Sequence, residues 1–208
     1  MLEMTNTSVV SQTALPIDDL RWEQGLTLPD FAAQMTVNRE AMTRRFETVQ
    51  LTASERATFA EIQRPMRVLV MTEDWCGDSL MNLPILARLT EAAPNMEARL
   101  FVRSRHPDLQ DWFAERQITA VPVFAFLDEN FQYLGAWVER SQAANERMAE
   151  WNEAHPEVSA IQKDESLSKE ERKARLSPIL DRLKVEMETW YADELQAAAV
   201  QEILEILK

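Results

Sequence analysis

Arg67 to Met71 is a short apolar run rich in β-branched side chains, and within a few residues the pattern turns helical. A run of that kind fits a strand buried on both faces, as in a parallel sheet. From Ser79 onward Leu80, Leu83, Ile85, Leu86 and Leu89 fall at helical spacings, giving a helix with a wide buried stripe. A strand covered on both faces and followed directly by a helix commits the chain to an α/β architecture. At the junction, in Glu73-Asp74-Trp75-Cys76-Gly77-Asp78-Ser79, sits the one cysteine of the chain. Unpaired backbone N–H groups and the dipole at a helix amino end favour negative charge there, which lowers a thiol pKa. Glu73, Asp74 and Asp78 surround the thiol with like charge and oppose that effect.

Ile118 to Leu127 is a second apolar run, interrupted near its start by Pro122, which cannot donate to a ladder and implies an edge, a bulge or a cis bond. Between and beyond the two runs the spacing predicts strand 67–72, helix 79–92, strand 97–103, helix 107–116, strand 121–127 and strand 131–137, with Asp128-Glu129-Asn130 as the last turn. Three glycines in 208 residues argue for helices and few tight turns elsewhere. Residues 1 to about 16 are polar and expected to be mobile. Short helices are expected at Leu28 to Phe31 and Arg39 to Val49, and Thr52-Ala53-Ser54-Glu55 is a capping box opening a helix that ends before Pro65. A second capping box, Ser168-Lys169-Glu170-Glu171, and an N-cap with first-turn proline at Ser177-Pro178 predict helices past Arg140. There Ile179, Leu183, Met187, Trp190 and Tyr191 share one face, and Ile203, Leu204 and Leu207 another; these faces either cover the sheet and the N-terminal helices or form a homodimer seam.

At these motifs the chain resembles the thioredoxin superfamily, whose active site is Trp-Cys-Gly-Pro-Cys between a central strand and a helix, opposed by a cis-proline loop. Trp75, Cys76 and Gly77 match, Val121-Pro122 stands at the cis-proline pair, and Leu134-Gly135-Ala136 is similar to the glycine segment of the last strand. Glu73 to Asp78, Asn82-Leu83-Pro84, Phe126 to Glu129 and Gly135-Ala136-Trp137 look more narrowly like a bacterial group that carries Trp-Cys-Gly-Asp-Cys. The resemblance implies a three-layer fold around a central mixed sheet over 65–140, with a helical extension at 1–64 and another at 141–208 packed on the core. It also implies that Cys76, Ser79 and Asp78 carry the chemistry, while Trp75, Gly77, Val121 and Pro122 border the substrate groove.

The departures from that family are equally specific. Ser79 occupies the place of the second cysteine, so no intramolecular disulfide forms and the dithiol cycle is excluded. Val70 stands where thioredoxins bury an aspartate, leaving Asp78 as the nearby proton acceptor. Monothiol glutaredoxins carry Cys-Gly-Phe-Ser and share an iron–sulfur cluster across a dimer; Trp75 in place of their lysine and the acidic surroundings argue against that relation.

A net charge of −13 makes nucleic acid an unfavourable partner, and no apolar run approaches the roughly 20 residues that cross a bilayer. The start of the sequence has no basic stretch leading into an apolar one, and with a single cysteine this points to the reducing cytoplasm. One cysteine and no histidine pair at ligand spacing give no reason to expect a metal, and no cofactor is implied. The expected function is monothiol thiol–disulfide exchange through Cys76, resolved by an external low-molecular-weight thiol, with a protein or a small thiol or disulfide as partner. The alternative is a non-catalytic module that holds a protein partner at the groove near Pro122.

Overall fold

Strand β1, Met66–Thr72, lies between two neighbours, parallel to β2, Met96–Val102, and antiparallel to β3, Val123–Leu127. Helix α5, Gly77–Ala92, makes the crossover that a parallel pair requires. The computed structural model describes residues 14–208. Among these a four-stranded mixed sheet has the order β2-β1-β3-β4, where β4 is Tyr133–Val138 and antiparallel to β3.

Alternation along the strands sorts the core into two layers. Val68 and Val70 of β1, with Phe124 and Phe126 of β3, join Leu80, Leu83 and Leu86 of α5 on one face. Leu69 and Met71, with Val123, Ala125 and Leu127, join Leu109, Trp112 and Phe113 of α6, Pro107–Ala114, on the other. Trp22 of the short helix α1, Asp19–Trp22, belongs to the second layer. Helices α2, Leu28–Gln34, α3, Arg39–Thr48, and α4, Ala53–Ala60, send Phe31, Met42 and Phe59 into the first.

The C-terminal part is helical: α7, Gln142–Ala154; α8, Pro156–Lys163; α9, Lys169–Trp190; a π-helical turn, Tyr191–Leu195; and α10, Gln196–Ile206. Leu183, Met187, Tyr191, Ala199 and Ile203 sit in the layer that contains α5. Helix α10 flanks edge strand β4, where Glu202 accepts from Trp137 Nε1 at 3.0 Å and from the Gln142 amide at 2.7 Å. The opposite edge, β2, is covered by a two-way bridge between Leu26 and Leu100, with N···O distances of 2.9 and 2.8 Å. Gly25 permits that approach, since a Cβ there would lie 2.7 Å from Arg99 Cβ.

Both capping boxes form, Thr52 with Glu55 and Ser168 with Glu171. Ser177-Pro178, in contrast, starts nothing and lies inside α9. The Ser168 cap has already launched the helix, the apolar stripe continues across the proline through Leu176, Ile179 and Leu180, and the Ser177 hydroxyl bonds back to the Lys173 carbonyl at 2.9 Å. The last hairpin turn is longer than expected. Asp128 Oδ1 accepts from the amides of Asn130 and Gln132, both at 2.8 Å, and Phe131 takes φ 61°, so β4 opens at Tyr133. Of the N-terminal stretch expected to be mobile, residues 1–13 lie outside the described residues.

Phe124 is fully buried and stacks on Trp137 with ring centroids 5.2 Å apart. Phe124→Ala is expected to cost about 3–5 kcal/mol in urea unfolding, the usual range for emptying a phenylalanine site in a rigid core.

Candidate functional site

Cys76 is the N-cap of α5, and its sulfur accepts the Ser79 amide at 3.4 Å. Its thiol donates to the Val121 carbonyl at 3.2 Å, on the loop whose Val121–Pro122 peptide bond is cis. Strand β3 begins at Val123, two residues later than the spacing predicts. Ser79 is buried, and its hydroxyl oxygen accepts from Thr72 Oγ1 at 2.9 Å. Val70 is an ordinary core side chain.

The three carboxylates beside the thiol have separate tasks. Glu73 Oε1 accepts from the Ser104 amide at 2.7 Å. Asp74 Oδ2 accepts from the Thr36 amide and hydroxyl at 2.9 and 2.8 Å and from the Val37 amide at 3.3 Å. Burial works against the Asp74 anion, yet these bonds hold its carboxyl below its usual range. Asp78 pairs both oxygens with Arg140, at 2.8 Å to Nε and 2.5 Å to Nη2. Asp78, the expected proton acceptor, thus has both oxygens on a guanidinium just past the end of β4.

Cys76 is 7% exposed. Burial pushes its thiol above the ordinary value, and the charge of Asp78 adds to this; hydrogen bonds from Ser79 and the Asp78 amide oppose it without cancelling it. Desolvation therefore outweighs the helix end. Glu73 and Asp74 take no part, so crowding by three carboxylates is reduced to one.

Arg140 is the centre of a half-buried polar cluster. Burial lowers its pKa, but the hydrogen bonds and charge of Asp78, with Glu139 at 2.6 Å, more than restore it. Burial raises the Glu139 carboxyl. Asn82 Nδ2 donates to the Asp78 carbonyl and to Tyr191 Oη, each at 3.0 Å, while burial pushes the Tyr191 phenol up.

A cavity of about 390 Å³ opens beside the thiol, bordered by Trp75, Gly77, Asp78, Val121, Arg103, Glu139 and Arg140 and closed on its far side by Met148, Leu180, Leu183, Lys184 and Met187. Helix α9 thus lies over the cysteine, with Met187 Sδ 3.8 Å from where a Cβ on Gly77 would stand. Trp75 is 54% exposed and flanks the mouth, with the Arg103 guanidinium 5.7 Å from its ring. Trp75, Cys76, Gly77, Asp78 and Val121 are brought together at the cavity, and Pro122 and Ser79 do not line it. Sequence reading missed Arg140, Arg103, Asn82 and the α9 roof. The roof alone had a signal, in the uncovered face that contains Leu183 and Met187. Among the described residues no helix is long and apolar enough to cross a membrane, and no cluster of His, Cys, Asp or Glu could hold a metal.

A thiol on the first turn of a helix after a central strand, faced by a cis X–Pro loop, defines a protein of thioredoxin-like fold. The thioredoxin family model matches residues 25–155, and the chain belongs to that family. Its fold is similar over 89% of its length to a protein of unknown function from Pseudomonas aeruginosa, at 23% identity, TM-score 0.60 and 93% of that chain. An HIV epitope-scaffold is similar at 23% identity and TM-score 0.58, covering 89% of this chain and 94% of the other. No curated protein matches the chain.

Two outcomes follow from the electrostatics. The unfolded thiol ionises near pH 8.5 and the folded one higher, so the unfolded state holds fewer protons between the two values. Cys76 therefore contributes full stability below about pH 8.5 and loses it as pH rises through the folded value. Urea midpoints measured from pH 7 to 10 are expected to fall in the wild type and to fall less in Cys76→Ala. Asp78→Asn is expected to lower the thiol pKa, speed alkylation at a given pH, and cost about 1–2 kcal/mol, since Arg140 loses a two-point charged partner but keeps Glu139. An unchanged alkylation profile would remove Asp78 from the account.

Proposed function

We propose that this chain is a monothiol thiol–disulfide exchange protein of the thioredoxin family, nearest to the group that carries Trp-Cys-Gly-Asp-Cys, with Ser79 replacing the second thiol. The observation that carries the reading is the position of Cys76, capping a helix and opening on a cavity, with no second cysteine in the chain to resolve it. The Cys76 thiolate attacks one sulfur of a disulfide, the S–S bond breaks, and the departing thiolate takes the electron pair. An external low-molecular-weight thiolate then attacks the mixed disulfide and regenerates Cys76. The departing sulfur is reduced and the incoming thiol is oxidised into the new disulfide while Cys76 returns unchanged, so the chain needs no electron donor beyond the incoming thiol. The proton of Cys76 leaves to solvent, and Asp78, tied to Arg140, tunes the thiol through its charge. The single cysteine suits a reducing cytoplasm.

A second reading, a non-catalytic module that holds a protein near Pro122, is favoured by the burial that keeps the thiol protonated. Two variants separate the readings. Cys76→Ser is expected to abolish catalysed exchange between a small mixed disulfide and a free thiol. Ser79→Cys is expected to acquire an intramolecular disulfide, seen as loss of both free thiols on mild oxidation, and with it protein disulfide reductase activity. Undiminished exchange in Cys76→Ser sinks the monothiol mechanism, and partner binding that survives in that variant supports the module.

A further inference from the structure

Space, cover and charge at the cavity together narrow what can reach the thiol. A volume of about 390 Å³ suits a small molecule. Residues of α9 line the cavity together with Val121, and α9 is fixed to the start of α3 by Lys184 Nζ on Asn38 Oδ1 at 3.1 Å and by Arg44 with Glu188 at 2.8 Å. The part of the lining that α9 and α7 supply is mostly apolar, with Leu180, Leu183, Met187 and Met148. Methionines adapt to irregular apolar shapes and suit a compact hydrophobic body.

Charge selects further. Inside the cavity Asp78 and Glu139 are both paired with Arg140, and Lys184 is bound to Asp181 as well as Asn38. Arg103 differs. It donates to the Thr119 carbonyl at 3.1 Å and lies over Trp75, yet among the described residues it has no carboxylate partner, in a chain with a net charge of −13. A guanidinium carries five donors in a planar fork, so most of its capacity at the mouth is free for an anion.

We propose that the roofed cavity is a binding site for a small thiol or disulfide that carries a carboxylate, with its apolar body under α9, its sulfur at Cys76 and its carboxylate on Arg103. The proposal rests on the exchange reading for its sulfur chemistry but not for its anion site, and the test separates the two. Dithiobis(nitrobenzoate), an aromatic disulfide with carboxylates, and dithiodipyridine, a neutral one, are each reacted with the reduced protein. Cys76 forms a mixed disulfide with one aryl sulfur and expels the other as a coloured thiolate, which gives the rate. Arg103→Gln is expected to slow the carboxylate probe about tenfold, the worth of one charge-assisted contact, and to leave the neutral probe within about twofold. Equal slowing of both, or of neither, overturns the anion site. In Cys76→Ser, which cannot exchange, calorimetry with benzylthioacetate reads the site alone, and adding Arg103→Gln is expected to weaken binding about tenfold while benzylthioacetamide is unaffected. If the folded wild type reacts with neither disulfide but benzylthioacetate binds through Arg103, the site stands and the exchange reading falls. If benzylthioacetate ignores Arg103, the site falls.

Discussion

Strand β1 is buried on both faces and paired on both edges, and this double enclosure determines where everything else can go. A strand with apolar side chains above and below the sheet needs helices in both layers. Its parallel neighbour needs a crossover, and α5 supplies it. Cys76 inherits its position from this arrangement: it stands where the buried strand ends and the crossover helix begins, at the carboxyl edge of the sheet, where open α/β sheets place their ligands. The remaining elements shield that edge and decide what can approach it.

The polar cluster around Arg140 is the second organising feature. Asp78 from the first turn of α5, Glu139 and Arg140 from just past the end of β4, Asn82 from the second turn of α5 and Tyr191 from the π-helical turn meet beside the cavity, Asp78, Asn82 and Tyr191 buried and the other two half-buried. In such surroundings a missing partner costs several times what the same pair contributes at a surface. The cluster ties three distant stretches of chain into one arrangement beside the thiol. It also explains how an acidic residue next to a buried sulfur is tolerated, since the guanidinium neutralises Asp78; burial, with a smaller contribution from Asp78, is what raises the thiol pKa.

Local chemistry made much of the fold readable. The β1 to α5 junction, the pairing of apolar runs with strands and both capping boxes depend on residues close in sequence, and they formed as their spacing required. Pro122 could be assigned to a special backbone position, though not to a role. What escaped reading is long-range. Asp78 and Arg140 are separated by 62 positions, and no periodicity links them. Whether a thiol at a helix start becomes acidic depends on burial, and Cys76 is packed among Leu109, Phe113, Val121 and Val123, more than thirty residues further along. Ser177-Pro178 misled because it looks locally like a helix start. A cap further upstream had already begun the helix, and tertiary contacts along its apolar stripe carried it through.

The C-terminal helices show a rhythm that their geometry must absorb. Leu183, Met187, Tyr191, Leu195, Ala199, Ile203 and Leu207 are all buried, every fourth residue without a break. An α-helix turns every 3.6 residues, so a stripe with a period of four creeps around the rod by about 40° at each step and would leave the core before reaching its end. The wider turn at Tyr191–Leu195, with its longer i→i+5 bonds, winds back part of that drift midway. One side of the rod can then serve two surfaces, the sulfur beneath α9 and the sheet edge beside α10. The two are phase-locked, so that rolling the roof to admit a ligand would also roll the buttress on β4.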